Sequence, residues 1–92
     1  MQISGQKAVT TAGTAERLHA GLDVHRAVMI KALPTNTGTM YVGQVDGDVD
    51  NSNGMPLSAG DSLIFANVDN LNQIWLNASV NGEKVAWLLL TV

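Results

Sequence analysis

Cysteine is absent from the 92 residues, which excludes a disulfide, a thiolate nucleophile and a thiolate metal site. Charge is scarce as well. Asp, Glu, Lys and Arg make up 14% of the chain, against about 25% in an average soluble domain. A surface poor in charge is cheap to desolvate, and interface cores are depleted in Lys, Glu and Asp. The basic residues Lys7, Arg17, Arg26, Lys31 and Lys84 are scattered, and the net charge is −3. Phosphate-backbone binding calls for a clustered basic stripe, so no nucleic-acid partner is expected. Aromatics are only 4%. No apolar run reaches the roughly 18–20 residues that cross a membrane as a helix, so no membrane partner is expected. The opening MQISGQKAVTTAGTAERL has no basic start followed by an apolar stretch, and no secretory signal is expected.

What is present is β-pattern. HRAVMIKAL (25–33), TMYVGQV (39–45), SLIFANV (62–68), NQIWLNASV (72–80) and EKVAWLLLT (83–91) alternate apolar and polar residues and are rich in Val, Ile and aromatics, the signature of strands. Clusters of Gly, Asn, Asp, Ser and Pro separate them at the spacing of an all-β sandwich or barrel. We read residues 1–92 as a single antiparallel β-sandwich domain. Residues 5–18 read either as two short strands about Ala12, Gly13 and Thr14 or, over 1–12, as an extended N-terminal arm. A domain this small has a modest core and often leans on self-association.

Asn-Gly is the favoured pair for a two-residue type I′ turn. The pair Asn81-Gly82 therefore predicts a hairpin with Ala78 opposite Val85, Leu76 opposite Trp87 and Ile74 opposite Leu89. On that pairing Trp75 lies outward beside Leu88, with Leu90 nearby. Such an exposed apolar patch marks a contact surface unless another part of the chain, such as the N-terminal arm, covers it, and Trp75, Leu88 and Leu90 are the candidate interface residues. The stretch IKALPTNTGTMYVG (30–43) reads as another hairpin, in which Pro34 ends a strand and Gly38 takes a left-handed angle.

Three stretches imitate chemical motifs. Gly60-Asp61-Ser62-Leu63 has the letters of the GDSL-type serine hydrolases. Such a serine needs a histidine base oriented by an acid, and His19 and His25 both lie upstream; Pro56 to Asp61 reads instead as a turn feeding a strand. Asp46, Asp48 and Asp50 open like a calcium loop, but Asn51 stands where the sharp-turn Gly belongs and Leu57 where the bidentate Glu belongs. A solvated acidic loop is the favoured reading, with calcium the other. The six-residue step from His19 to His25 fits no common metal motif. Asn77-Ala78-Ser79 spells a glycosylation sequon inside a predicted strand and reads as accidental. No catalytic residue, metal or cofactor is assigned, and a non-enzymatic protein is expected.

In order, GQKAVTTAGTAERL, HRAVMIKALPTNTGTMYVG, SNGMPLSAGDSL and DNLNQIWLNASVNGEKVAWLLL resemble small virion structural proteins of tailed bacteriophages. The resemblance covers nearly the whole chain, with VMIKALPTNTGTMYVG and NGMPLSAGDSL as its best carriers. The chain departs from it in the acidic stretch of Asp46 to Asp50, where related phrases are more Ser-rich. The resemblance implies a jelly-roll-like β-sandwich that clasps other virion proteins. The resemblance does not fix the place on the particle; a capsid decoration (cement) protein on the outer surface of the phage head is expected first, and a tail or fibre component that attaches to a host receptor second. It further implies the major capsid protein or another virion protein as partner, a homo-oligomer with the trimer favoured, and location in the virion after synthesis in the bacterial host cytoplasm.

Overall fold

The computed structural model describes residues 3–44 and 46–90. Eight strands run in chain order: β1 (Ser4–Ala8), β2 (Glu16–Arg17), β3 (Asp23–Ala32), β4 (Met40–Gly43), β5 (Met55–Leu57), β6 (Ser62–Asn70), β7 (Trp75–Ala78) and β8 (Lys84–Leu89). A 3-10 turn, Leu71–Gln73, precedes β7. Asn70 caps this turn by accepting from the Asn72 N–H, while Gln73 reaches back to the Asn70 N–H. The strands form two four-stranded antiparallel sheets, sheet A in the order β1-β8-β3-β6 and sheet B in the order β2-β7-β4-β5.

That order pairs first strand with last, second with seventh, third with sixth and fourth with fifth. It is a long hairpin wound into two layers, the jelly-roll form of the β-sandwich. Every connection passes from one sheet to the other except β4 to β5, which pair directly. The expected all-β sandwich is what the chain forms. Residues 4–8 are an edge strand of sheet A, paired with β8 from Ser4↔Leu88 to Ala8↔Lys84, so they are part of the fold and not a loose arm. Residues 1 and 2, the beginning of that arm, lie outside the described residues.

Alternation places the core. Val28, Ile30, Val85, Trp87 and Leu89 from sheet A meet Met40, Val42, Leu76 and Ala78 from sheet B, with Ile74 just before β7, all buried. β3 breaks its alternation once, where the register with β6 shifts between Asp23 and Val28. His25 sits there with φ 47°, a left-handed backbone angle that His adopts more readily than β-branched residues.

Two sequence expectations fail on pairing. Asn81-Gly82 does not close a hairpin, because β7 lies in sheet B and β8 in sheet A. A type I′ turn needs positive φ at both central residues; Gly82 has it (80°) and Asn81 does not. The Asn81 side chain instead accepts from the Ala12 N–H at 2.7 Å, and the Gly82 N–H donates to the Val9 carbonyl at 2.8 Å. Leu76 and Trp87 therefore face each other through the core rather than lying side by side. Residues 33–39 also cross between sheets instead of forming a hairpin loop, and Gly38 is not among the residues with positive φ.

The open side between β1 and β2 is clasped by an ion pair, with Lys7 Nζ 3.0 Å from Glu16 Oε1. Partial desolvation pushes the Glu16 carboxyl up. The Lys7 ammonium and the Thr10 and Thr11 N–H groups outweigh it, so the carboxyl lies below its ordinary value. A carboxyl lowered by folding adds stability above its unfolded value and loses that contribution as pH falls through the folded one. Urea midpoints are thus expected to fall in acid, and Lys7→Met is expected to shrink the part of that fall due to Glu16. Identical pH profiles for the two chains would rule the clasp out.

Candidate functional site

The motif look-alikes resolve into structure. Ser62 heads β6 in register with Lys31. His19 Nδ1 accepts from the Gly21 N–H at 3.1 Å, and its ring lies edge-on to Trp87. His25 faces Asp69 at 3.4 Å, both exposed. Neither His is bonded to Ser62, and residues 58–61 form a tight turn closed by the Asp61 N–H on the Ser58 carbonyl, with Gly60 at φ 85°. Among the described residues no cluster of three His, Asp or Glu is placed to hold a metal, and no helix is long and apolar enough to cross a membrane.

The acidic stretch folds back over the outer face of sheet B. Its own side chains close it: Asp50 Oδ1 accepts from the N–H and hydroxyl of Ser52, and Asn53 bridges the Asp50 N–H and the Asp48 carbonyl. Those Ser52 bonds are the main reason the Asp50 carboxyl lies below its ordinary value. Val49 is pressed against Gly43 and Gly54 and is 1% exposed, although it lies outside the main core. Asn77 faces the same way and is buried. Its amide nitrogen donates to the Val49 carbonyl at 2.8 Å, and its oxygen accepts from the Gly13 N–H at 2.9 Å. The sequon asparagine is thus a tether between two loops. Asn77→Leu strands the Val49 carbonyl and leaves the Gly13 N–H only its longer bond to the Ala78 carbonyl at 3.3 Å, and a buried group left unpaired costs about 1–3 kcal/mol. Chemical denaturation is expected to show a loss in that range, and an unchanged midpoint would remove Asn77 from this role.

The predicted interface set divides. β7 carries Trp75 on the outer face of sheet B, in register with Arg17 and Gly43. β8 carries Leu88 on the outer face of sheet A, in register with Ser4 and Met29. Leu90 lies just past the end of that strand, its N–H donating to the Ala27 carbonyl. Trp75 and Leu88 are thus on opposite sides of the sandwich, because the strands that carry them are not neighbours.

Each face has its own character. On sheet A, Ser4, Leu88, Met29 and Ile64 form one continuous cross-strand row, with Leu88 45% and Ile64 58% exposed. The next row is Gln6, Ala86, Lys31 and Ser62. Lys31 and Lys84 put positive charge on this face of a chain whose net charge is negative. On sheet B, the Arg17 guanidinium lies 4.9 Å from the Trp75 ring centroid, within cation–π range. Met29, Ile64 and Arg17 escaped the sequence reading because register, not alternation, decides which outward residues become neighbours. No known family model, curated protein or solved structure matches this chain.

Proposed function

We propose that this chain is a non-enzymatic virion structural protein, a capsid decoration protein that seats on the outer surface of a tailed-phage head through the outer face of sheet A. The observation that carries this reading is the apolar row Leu88–Met29–Ile64, which crosses the sheet beside Lys31. A flat apolar strip with ammonium groups along one edge fits a protein surface that offers apolar side chains edged by carboxylates. The major capsid protein of the assembled shell is the proposed partner, ahead of another virion protein, in line with the resemblance and the low charge content. Self-association on the lattice, with a trimer favoured, belongs to the same reading.

The mechanism is linkage. A protein that binds the assembled shell but not its separated subunits stabilises the shell by mass action. Many copies on a symmetric lattice multiply a modest contact energy. Leu88→Asp places a carboxylate in the middle of the strip, where a disrupted hot spot costs about 2 kcal/mol, roughly thirtyfold in affinity. Cosedimentation with purified heads is expected to fall accordingly while the melting temperature of the free protein holds. Immunogold labelling of source particles is expected over the head. Label confined to the tail would transfer the reading to a tail or fibre component, and particles without label would overturn the virion assignment.

A further inference from the structure

The opposite face carries a different kind of surface. Beside Trp75, on the outer side of sheet B, lies an open cleft of about 420 Å³ lined by Arg17, Gln44, Asp46, Asn72, Gln73 and Trp75. That volume falls within the roughly 300–1,000 Å³ of small-molecule sites. We infer that this cleft is a binding site for a neutral pyranose of an oligosaccharide, a role separate from the seating face on sheet A.

The chemistry of the lining carries the inference. A pyranose is amphipathic: its C–H face packs on an aromatic ring, and each rim hydroxyl both donates and accepts hydrogen bonds. The cleft supplies an indole wall, a guanidinium that only donates, a carboxylate that only accepts, and amides that do both. These polar groups are planar and two-pronged, so each spans two neighbouring hydroxyls. One cation and one carboxylate leave the cleft without a dominant charge, which favours a neutral ligand over an anion. Among the described residues, the side chains of Gln44, Asp46 and Asn72 have no hydrogen-bond partner within the chain, whereas Gln73 Oε1 is held by the Asp69 and Asn70 N–H groups.

Trp75 is set before any ligand arrives. Arg17 holds one side of its ring. A Cβ built on Gly47, at φ 70°, would lie 3.9 Å from the ring's Cη2, so the far edge of the ring reaches that loop at ordinary contact distance. A wall that is already ordered spares the rotamer entropy that binding would otherwise cost. Gly13 and Asn77 lie outside this cleft, so the tether described above is not part of it.

The test uses the full chain in solution and does not depend on any particle. The two indole N–H signals separate the cleft from the core, because Trp87 is buried and serves as an internal reference. Maltopentaose, mannopentaose and chitopentaose are titrated to about 10 mM, the range in which single-site sugar binding of a few kcal/mol is detected. Sorbitol is the control, with hydroxyls but no ring face. A saturable shift of the Trp75 indole with at least one oligosaccharide is expected, with Trp87 and the sorbitol spectrum unmoved. Asn72→Ala removes a side chain that bonds nothing in the chain, so folding is retained, and it is expected to weaken binding about tenfold. Absence of any saturable shift, an equal response to sorbitol, or full affinity in Asn72→Ala would each overturn the site.

Discussion

Glu83→Ala is expected to be among the most destabilising single substitutions in this protein, by about 3–4 kcal/mol. Glu83 is 4% exposed, and one of its oxygens gathers the loop between β3 and β4. Oε1 accepts from the Thr37 N–H, the Thr37 hydroxyl and the Gly38 N–H, each at 2.9 Å. Hydrogen bonds to charged groups are worth about 1.5–3 kcal/mol each, and the three act as one unit, so their sum overstates the loss. Alanine leaves three donors facing an empty space. For a domain of this size each kcal/mol lowers Tm by roughly 4–8 °C, so the variant should melt well over ten degrees (roughly) below the parent chain.

Glu83→Gln separates the causes. Glutamine keeps an acceptor oxygen, and its amide group replaces Oε2, which is buried without a partner among the described residues. Its expected cost is about 1 kcal/mol, the difference between a charged and a neutral acceptor. If alanine and glutamine melted alike, the three bonds would not be what holds the loop.

The second large effect is at Gly38. A Cβ built there would collide with the Ser79 hydroxyl and stand 2.8 Å from Val80 Cγ2. The Ser79 hydroxyl is itself fixed, accepting from the Thr39 N–H at 2.9 Å. Crowding a packed contact costs about 1–3 kcal/mol, and here it also pulls the Gly38 N–H away from Glu83. Gly38→Val is expected to lose about 3 kcal/mol and Gly38→Ala about 2 kcal/mol. The left-handed backbone angle that the sequence reading gave Gly38 would also disfavour valine, but by a different cause. Gly38→Asn distinguishes the two, since Asn tolerates such angles but collides as valine does. It should melt with the valine variant. Recovery in a Gly38→Ala, Ser79→Ala double variant would place the strain at the hydroxyl.

These two residues also answer what the Thr-Asn-Gly stretch at 35–38 is. Asn36 bonds both backbone groups of Lys84, donating to its carbonyl at 2.8 Å and accepting from its N–H at 3.0 Å. Beside it Thr37 and Gly38 take the Glu83 carboxylate. The stretch is a clamp that locks the β3–β4 crossing onto the β7–β8 crossing at one end of the sandwich. Its letters are those of a turn, and nothing local reveals that its partner lies more than forty residues away.

What the sequence by itself determined was local. Period-two alternation marked five strands and named the inward set on β8, Val85, Trp87 and Leu89, because a strand's side chains must point alternately in and out. Turn chemistry placed a turn within residues 56–61; it forms at 58–61, while Pro56 and Leu57 belong to β5. The absence of cysteine excluded disulfide and thiolate chemistry. The three-residue β5 with its Pro56 was too short to register as a strand. Tertiary structure decided the partners. Alternation fixes which face a residue takes but not which strand lies beside it, and in a jelly roll nearly every neighbour comes from far along the chain. The same alternating pattern suits a β7–β8 hairpin and two strands in opposite sheets. Only the wound topology put Leu88 in line with Met29 and Ile64, left Trp75 beside Arg17 on the other side, and buried Asn77 beneath a loop that the sequence read as solvated.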